Sequence, residues 1–233
     1  MQKLVNTLVL VFFTCLIFVS CKKDAAKEPT WLKQDLLAYY PFNGNARDSS
    51  GNGYDGEVNG AVLTTDRKGV ANGSYSFPNN GFVSVKLNET HFLGNFTISL
   101  WGKVDNTTNF NPMLVSSSYL TLIYSVPNNK AEFYFRIPSA MGAYMGNANV
   151  QEWNHIAVMV RNDTTRMYIN GVYQGNTPLP KPRPSVVPGS SMVFGRDVIG
   201  MNPQYYNLQG KLDEIRIYKR ALTDDEVKYL YQN

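Results

Sequence analysis

With 233 residues, 43% of them hydrophobic and 13% aromatic, the chain can bury the core of one large domain or two small ones, which excludes a disordered protein. Its 22 basic and 18 acidic residues leave a formal charge of only +4, and no basic run exceeds the length of Lys22-Lys23, which excludes the clustered footprint of a nucleic-acid binder. Both cysteines, Cys15 and Cys21, fall within the first 21 residues, so no disulfide can staple the rest.

The chain opens on Lys3, an apolar run over 8–19, then Ser20 and Cys21, followed by Lys22, Lys23 and Asp24. A charged head, a short apolar segment and a small residue at the cut form a secretory signal, and the run falls short of the about 20 residues of a membrane span. Phe18-Val19-Ser20-Cys21 resembles a bacterial lipoprotein box, with Phe18 where leucine is usual. Cys15 competes poorly, because bulky Phe12 and Phe13 with Thr14 precede it. The resemblance implies that residues 1–20 are a signal peptide and that Cys21 is lipidated. It also implies a protein anchored to a membrane through that lipid, in the bacterial cell envelope and expected at the outer membrane. Residues 21–34 are polar, include Pro29 and read as a tether. Residues 35–233 read as one domain.

From Leu36 onward, short alternating segments separated by Gly, Asn and Pro turns are predicted as strands over 36–42, 74–77, 82–87, 96–104, 119–126, 131–137, 155–161, 166–173, 191–195 and 208–218. Strands at this spacing predict an all-β, two-sheet antiparallel sandwich. Asn170-Gly171 is the type I′ hairpin dipeptide and splits the segment around it. The four prolines of 179–188 allow only a crossing loop or an edge. One helix is expected, over 223–232, with Thr223 and Glu226 spaced as a capping box.

In the last strand a period of two puts Asp213, Ile215 and Ile217 on one face and Leu212, Glu214, Arg216 and Tyr218 on the other. If the isoleucines face the core, Asp213 enters it and needs a partner. The same parity separates Phe96, Ile98 and Leu100 from Thr97, Ser99, Trp101 and Lys103. It also separates Phe133, Phe135 and Ile137 from Tyr134 and Arg136, and Met167 and Ile169 from Arg166 and Tyr168.

Six motifs in order carry a family resemblance: Leu37 to Gly53, beginning Leu-Ala-Tyr-Tyr-Pro-Phe; Ser74-Tyr-Ser-Phe77; Phe96-Thr-Ile-Ser-Leu-Trp101; Trp153-Asn-His-Ile-Ala-Val158; Met167-Tyr-Ile-Asn-Gly171; and the stretch from Gly210 to Val227. The chain resembles the laminin G-like jelly rolls of the concanavalin A-like lectin/glucanase superfamily. The resemblance implies two antiparallel sheets packed face to face. It also implies that the 48–55 loop lies near the start of the last strand.

Three chemistries follow as expectations. Relatives that hydrolyse glucans carry a Glu-x-Asp-x-Glu strand, which is absent, and parity separates Asp213 from Glu214, so the protein is not expected to be an enzyme. His155, beside Trp153, is read as structural, and His91 as solvated. Asp48, Asn52 and Asp213 are candidate ligands of a structural Ca²⁺, the alternative being a metal-free turn capped by Asp48. Trp101, Tyr134, Arg136 and Tyr168 are candidates for a shallow sugar site, since sugars stack on aromatic rings and bond to planar polar groups; the alternative is that a covering segment packs them away. The expected function is a membrane-tethered binding domain for a glycan. An adhesion module contacting an envelope protein is the first alternative and a glycoside hydrolase the second.

Overall fold

The computed structural model describes residues 28–105, 111–116, 120–125, 132–136, 149, 151–179, 191–197 and 207–233. The signal segment, Cys21, most of the proline-rich segment and residues 198–206 lie outside the described residues. Fourteen strands are described, in two antiparallel sheets. The large sheet runs β12(Val172–Pro178), β11(Thr164–Ile169), β10(Asn154–Arg161), β6(Phe96–Val104), β14(Gly210–Tyr218), β4(Ser74–Ser76) and β3(Val62–Thr64), with β1(Leu36–Tyr40) also on β14. The small sheet runs β2(Gly56–Asn59), β5(Phe82–Val85), β13(Met192–Phe194), β7(Asn111–Ser116), β8(Leu120–Ser125) and β9(Glu132–Arg136). β2, β3 and β7 are not anticipated by the sequence, because short polar stretches and Pro112 in β7 mask the alternation.

The inner faces meet in one core. Phe96, Ile98 and Leu100 enter it from β6, Ile156, Val158 and Val160 from β10, and Ile215 and Ile217 from β14, all essentially fully buried. Each such side chain removed from water contributes about 1.5–3 kcal/mol. The predicted hairpin is present: Asn170 and Gly171 have φ of 51° and 73°, and Ile169 pairs with Val172 across them.

The outer face of the large sheet carries a second apolar cluster. Ala157, Met159, Tyr168 and Tyr218 pack there against Val227 and Leu230 of helix α1(Asp224–Gln232) and against Leu32 of a short 3-10 turn at Thr30–Lys33. The capping box is complete, with Thr223 accepting from the Glu226 amide and Glu226 accepting from the Thr223 amide. Arg220 ties the cover together, donating to both carboxylate oxygens of Glu226 at 2.8 and 2.9 Å and to the carbonyls of Gln34 and Trp31 at 3.1 and 3.2 Å.

β14 departs from simple alternation at one point. Its register with β6 slips between Asp213 and Arg216, and Glu214 between them has φ of 53°. This is a β-bulge, which inserts one residue and re-aims those after it. Leu212, Ile215 and Ile217 point into the core. Asp213 pairs with Trp101 and Arg216 with Ser99, which places Asp213 on the outer face. The expectation that Asp213 enters the core beside the isoleucines is therefore corrected, as is its separation from Glu214. The bulge also marks where β14 changes neighbours, from β4 at Lys211 and Leu212 to β1 at Ile215 through Tyr218.

Candidate functional site

Side chains on the outer face stand in cross-strand rows, since paired residues of an antiparallel sheet share a face. His155, Trp101 and Asp213 form one row across β10, β6 and β14; Ala157, Ser99, Arg216 and Tyr39 form the next, reaching β1. Between helix α1, the turn at Thr30–Lys33 and the loop at Arg67–Lys68, these rows floor a cleft of about 180 Å³. Tyr39, Ser99, Trp101, His155, Glu214 and Arg216 line its base, and Glu28, Arg67, Lys68, Tyr229 and Asn233 its sides.

The bulge puts Glu214 at the centre of this polar set. The Tyr39 hydroxyl donates to its carboxylate oxygens at 3.0 and 2.9 Å, and Arg216 Nη2 lies 3.0 Å from Oε2. The Arg216 guanidinium also lies 4.1 Å from the Tyr39 ring centroid. Burial pushes the Tyr39 hydroxyl well above its ordinary value, so it remains a donor.

Around Trp101 the packing is tight. Its ring stacks on Tyr231 at 5.8 Å, has the Arg67 guanidinium 4.4 Å from its centroid, and is only 9% exposed. His155 Nε2 lies 2.8 Å from the Ser99 hydroxyl, and its amide donates to Asn170 Oδ1 at 2.9 Å, joining the hairpin turn to the cleft floor. Burial, with the charges of Arg67 and Arg216, lowers the His155 pKa to about 3, so the ring is neutral. Asp213 is 3% exposed; burial, then the negative charges of Glu214 and Asp66, raise its carboxyl to about 7. Nδ1 of His155, Nε of Arg67 and Oδ1 of Asp213 are buried without a hydrogen-bond partner, and all three border Trp101.

The expected sugar-site residues do not assemble. Trp101 lines the cleft, but Tyr168 is 1% exposed, donates to Asp224 Oδ1 at 2.6 Å and packs in the cluster covered by helix α1, so no ligand can stack on it. Tyr134 and Arg136 stand on β9, opposite Ile123 and Thr121 of β8 in the small sheet, apart from Trp101 in the large one.

Of the expected calcium residues, Asp48 and Asn52 share one loop, whereas Asp213 stands on β14 opposite Trp101. Asp48 Oδ1 accepts from the amides of Tyr39 and Ser50 at 3.0 and 2.8 Å, and Oδ2 from the Ser50 hydroxyl and the Tyr54 amide at 2.8 and 3.1 Å. Asn52 Nδ2 donates to the Leu36 and Leu37 carbonyls at 2.9 and 3.0 Å. Burial works against the Asp48 charge, but these hydrogen bonds outweigh it and hold the carboxyl below its ordinary value. Three amides and the Ser50 hydroxyl thus occupy the Asp48 lone pairs a cation would need, and the charged neighbours of Asp213 are Glu214, Asp66 and Arg67 rather than Asp48. Among the described residues no group of three or more His, Cys, Asp or Glu side chains could hold a metal ion. His91, expected to be solvated, is half-buried, with the Tyr54 hydroxyl 3.1 Å from Nε2 and the Asn88 carbonyl 3.1 Å from Nδ1.

Sequence reasoning overlooked Tyr39, Arg67, Glu214 and Arg216 as cleft residues. Alternation assigns Arg216 and Glu214 to one face correctly, but nothing in the chain signals that Arg67 folds over Trp101.

Residues 78–228 match the Laminin_G_3 model of the concanavalin A-like lectin/glucanases superfamily, and the chain belongs to that family. No curated protein matches the chain significantly. Among solved structures, it is similar to domain 4 of AbnA, a GH43 extracellular arabinanase from Geobacillus stearothermophilus, in complex with arabinotriose. That match has 21% identity and a TM-score of 0.66, covering 85% of this chain and 98% of that domain. It is also similar to botulinum neurotoxin type C, in a structure concerned with interaction with two ganglioside molecules, at 14% identity and a TM-score of 0.68, covering 86% of this chain and 51% of the other. The binding domain of Paraclostridial Mosquitocidal Protein 1 gives 21% identity and a TM-score of 0.62, with 86% and 52% covered. The chain thus spans nearly all of the arabinanase domain and about half of the toxin chains, and at these identities the likeness establishes the fold.

Proposed function

We propose that the protein is a non-catalytic carbohydrate-binding module, held in the bacterial cell envelope by a lipid on Cys21. The observation that carries the reading is the outer-face cleft, where an acceptor carboxylate at Glu214 sits among the donors Tyr39, Arg67 and Arg216 beside the Trp101 and Tyr229 rings. A sugar hydroxyl both donates and accepts, so it calls for this mixture of planar polar groups and aromatic surface. Support comes from the arabinanase domain, which carries arabinotriose on a fold of nearly the same extent, and from the ganglioside interaction described for the type C toxin. Catalysis is the weaker reading, although the bulge brings Asp213 and Glu214 to one face. Glu214 is neutralised by Arg216 and bonded to Tyr39, and Asp213 is buried beneath the cleft surface, so neither is presented to a glycosidic bond.

The test is binding of the purified protein to a glycan array and to polysaccharide affinity gels, with retention on at least one glycan expected. Absence of retention, with a stoichiometric envelope protein recovered instead, would favour the adhesion module. Release of sugars that is lost on substituting Asp213 or Glu214 would establish a hydrolase.

A further inference from the structure

A second cleft, of about 240 Å³, adjoins the first and shares Glu28, Leu32, Tyr39 and Arg216 with it, while Ser49, Ser50 and Lys33 line its far side. Each cleft is smaller than the about 300 Å³ at which pockets begin to enclose drug-sized ligands, so neither takes a long oligosaccharide. The two meet at the stacked Tyr39–Arg216 pair, which also carries the bonds to Glu214.

A tie spans the first cleft. Arg67 Nη2 donates to the Asn233 carbonyl oxygen at 2.9 Å, and Lys68 Nζ donates to the same oxygen. These bonds tie the loop to the end of helix α1 near Trp101, whose ring contacts both Arg67 and Tyr231. A polymer could not pass through without breaking that tie, whereas a chain end could enter and stop. The buried atoms without partners, Nδ1 of His155 and Nε of Arg67, belong to residues lining this cleft.

Resting on the carbohydrate reading above, we propose that the two clefts are consecutive subsites for the last two residues of a glycan. The first cleft, crossed by the Arg67 and Lys68 tie, takes the terminal sugar and the second its neighbour. Glu214, Arg216 and Tyr39 bond to hydroxyls at the junction, and Arg67 bonds to the terminal residue. The protein is then a reader of chain ends rather than of polymer interiors.

Calorimetric titration of the full chain with arabino- and galacto-oligosaccharides of one, two and five residues, and with free and lactose-linked sialic acid, tests this. For the series that binds, affinity should rise from one residue to two and stay within about threefold from two to five, since no further subsite is met. Arg67→Ala and Glu214→Gln should each lower affinity at least tenfold while the far-ultraviolet circular dichroism stays that of the parent and thermal unfolding remains a single cooperative transition. A continued rise of tenfold or more from two residues to five would overturn the end-reading subsites and leave carbohydrate binding standing. Parental affinity in both variants would also overturn them, by placing the glycan elsewhere. Binding to none of these sugars or to the array would overturn the carbohydrate reading, and the subsites with it.

Discussion

Glu214 is held at a φ of 53°, a left-handed conformation that costs a non-glycine residue about 1 kcal/mol or more. The Tyr39 hydroxyl and the Arg216 guanidinium, both bonded to its carboxylate, offset that cost. The same bulge leaves Asp213 buried beside Trp101 with a carboxyl that titrates near 7, against the charges of Glu214 and Asp66 and only partly relieved by Arg67. Because its folded value is raised, Asp213 favours the folded state fully below about pH 4, and that contribution is lost as pH rises through 7. His155, lowered to about 3, acts in the opposite direction: its contribution is present above about pH 6.5 and is lost as pH falls toward 3. Over pH 4 to 6.5 the two oppose each other. Asp213→Asn should therefore match the parent near pH 4 and exceed it by on the order of 2 kcal/mol at pH 8. Urea denaturation at both pH values checks this, and a variant less stable than the parent at pH 8 would contradict it.

Helix α1 is the element that decides what the large sheet presents. Its Val227 and Leu230 cover Tyr168 and Met159, its Asp224 accepts the Tyr168 hydroxyl, and its Tyr231 stacks on Trp101. Docking depends on the capping box and on Arg220, which bridges Glu226 to the turn at Thr30–Lys33. Thr223→Ala should cost about 1 kcal/mol and lower the melting temperature by about 2–4 °C. Tryptophan fluorescence followed through the thermal transition measures the loss, and an unchanged midpoint would show that docking holds the helix without its cap. The box and the Asn170-Gly171 turn were legible in the sequence because each is a local arrangement, satisfied by residues within three positions of one another. The cover was not, because no property of Tyr168 distinguishes a ring facing solvent from one facing a helix that arrives more than fifty residues later.

At the scale of the whole molecule, two sheets enclose one core, and hydrogen bonds to Asp48 close its loop against β1. The melting temperature should accordingly be the same in millimolar calcium and in EDTA; a rise with calcium that EDTA reverses would restore the metal reading. Among the described residues no helix is long and apolar enough to cross a membrane. By itself the sequence determined the sandwich, most of its strands, the hairpin turn and the closing helix, because a period of two, turn dipeptides and caps act between near neighbours. Only the tertiary structure decided that Asp213 and Glu214 share the outer face, that Tyr168 is covered while Trp101 borders a cleft, and that Arg67 and Tyr39 join them. A bulge inserts a residue into the count without a signature of its own. A cleft is made of side chains whose nearness comes from sheet register, which reaches across the whole chain.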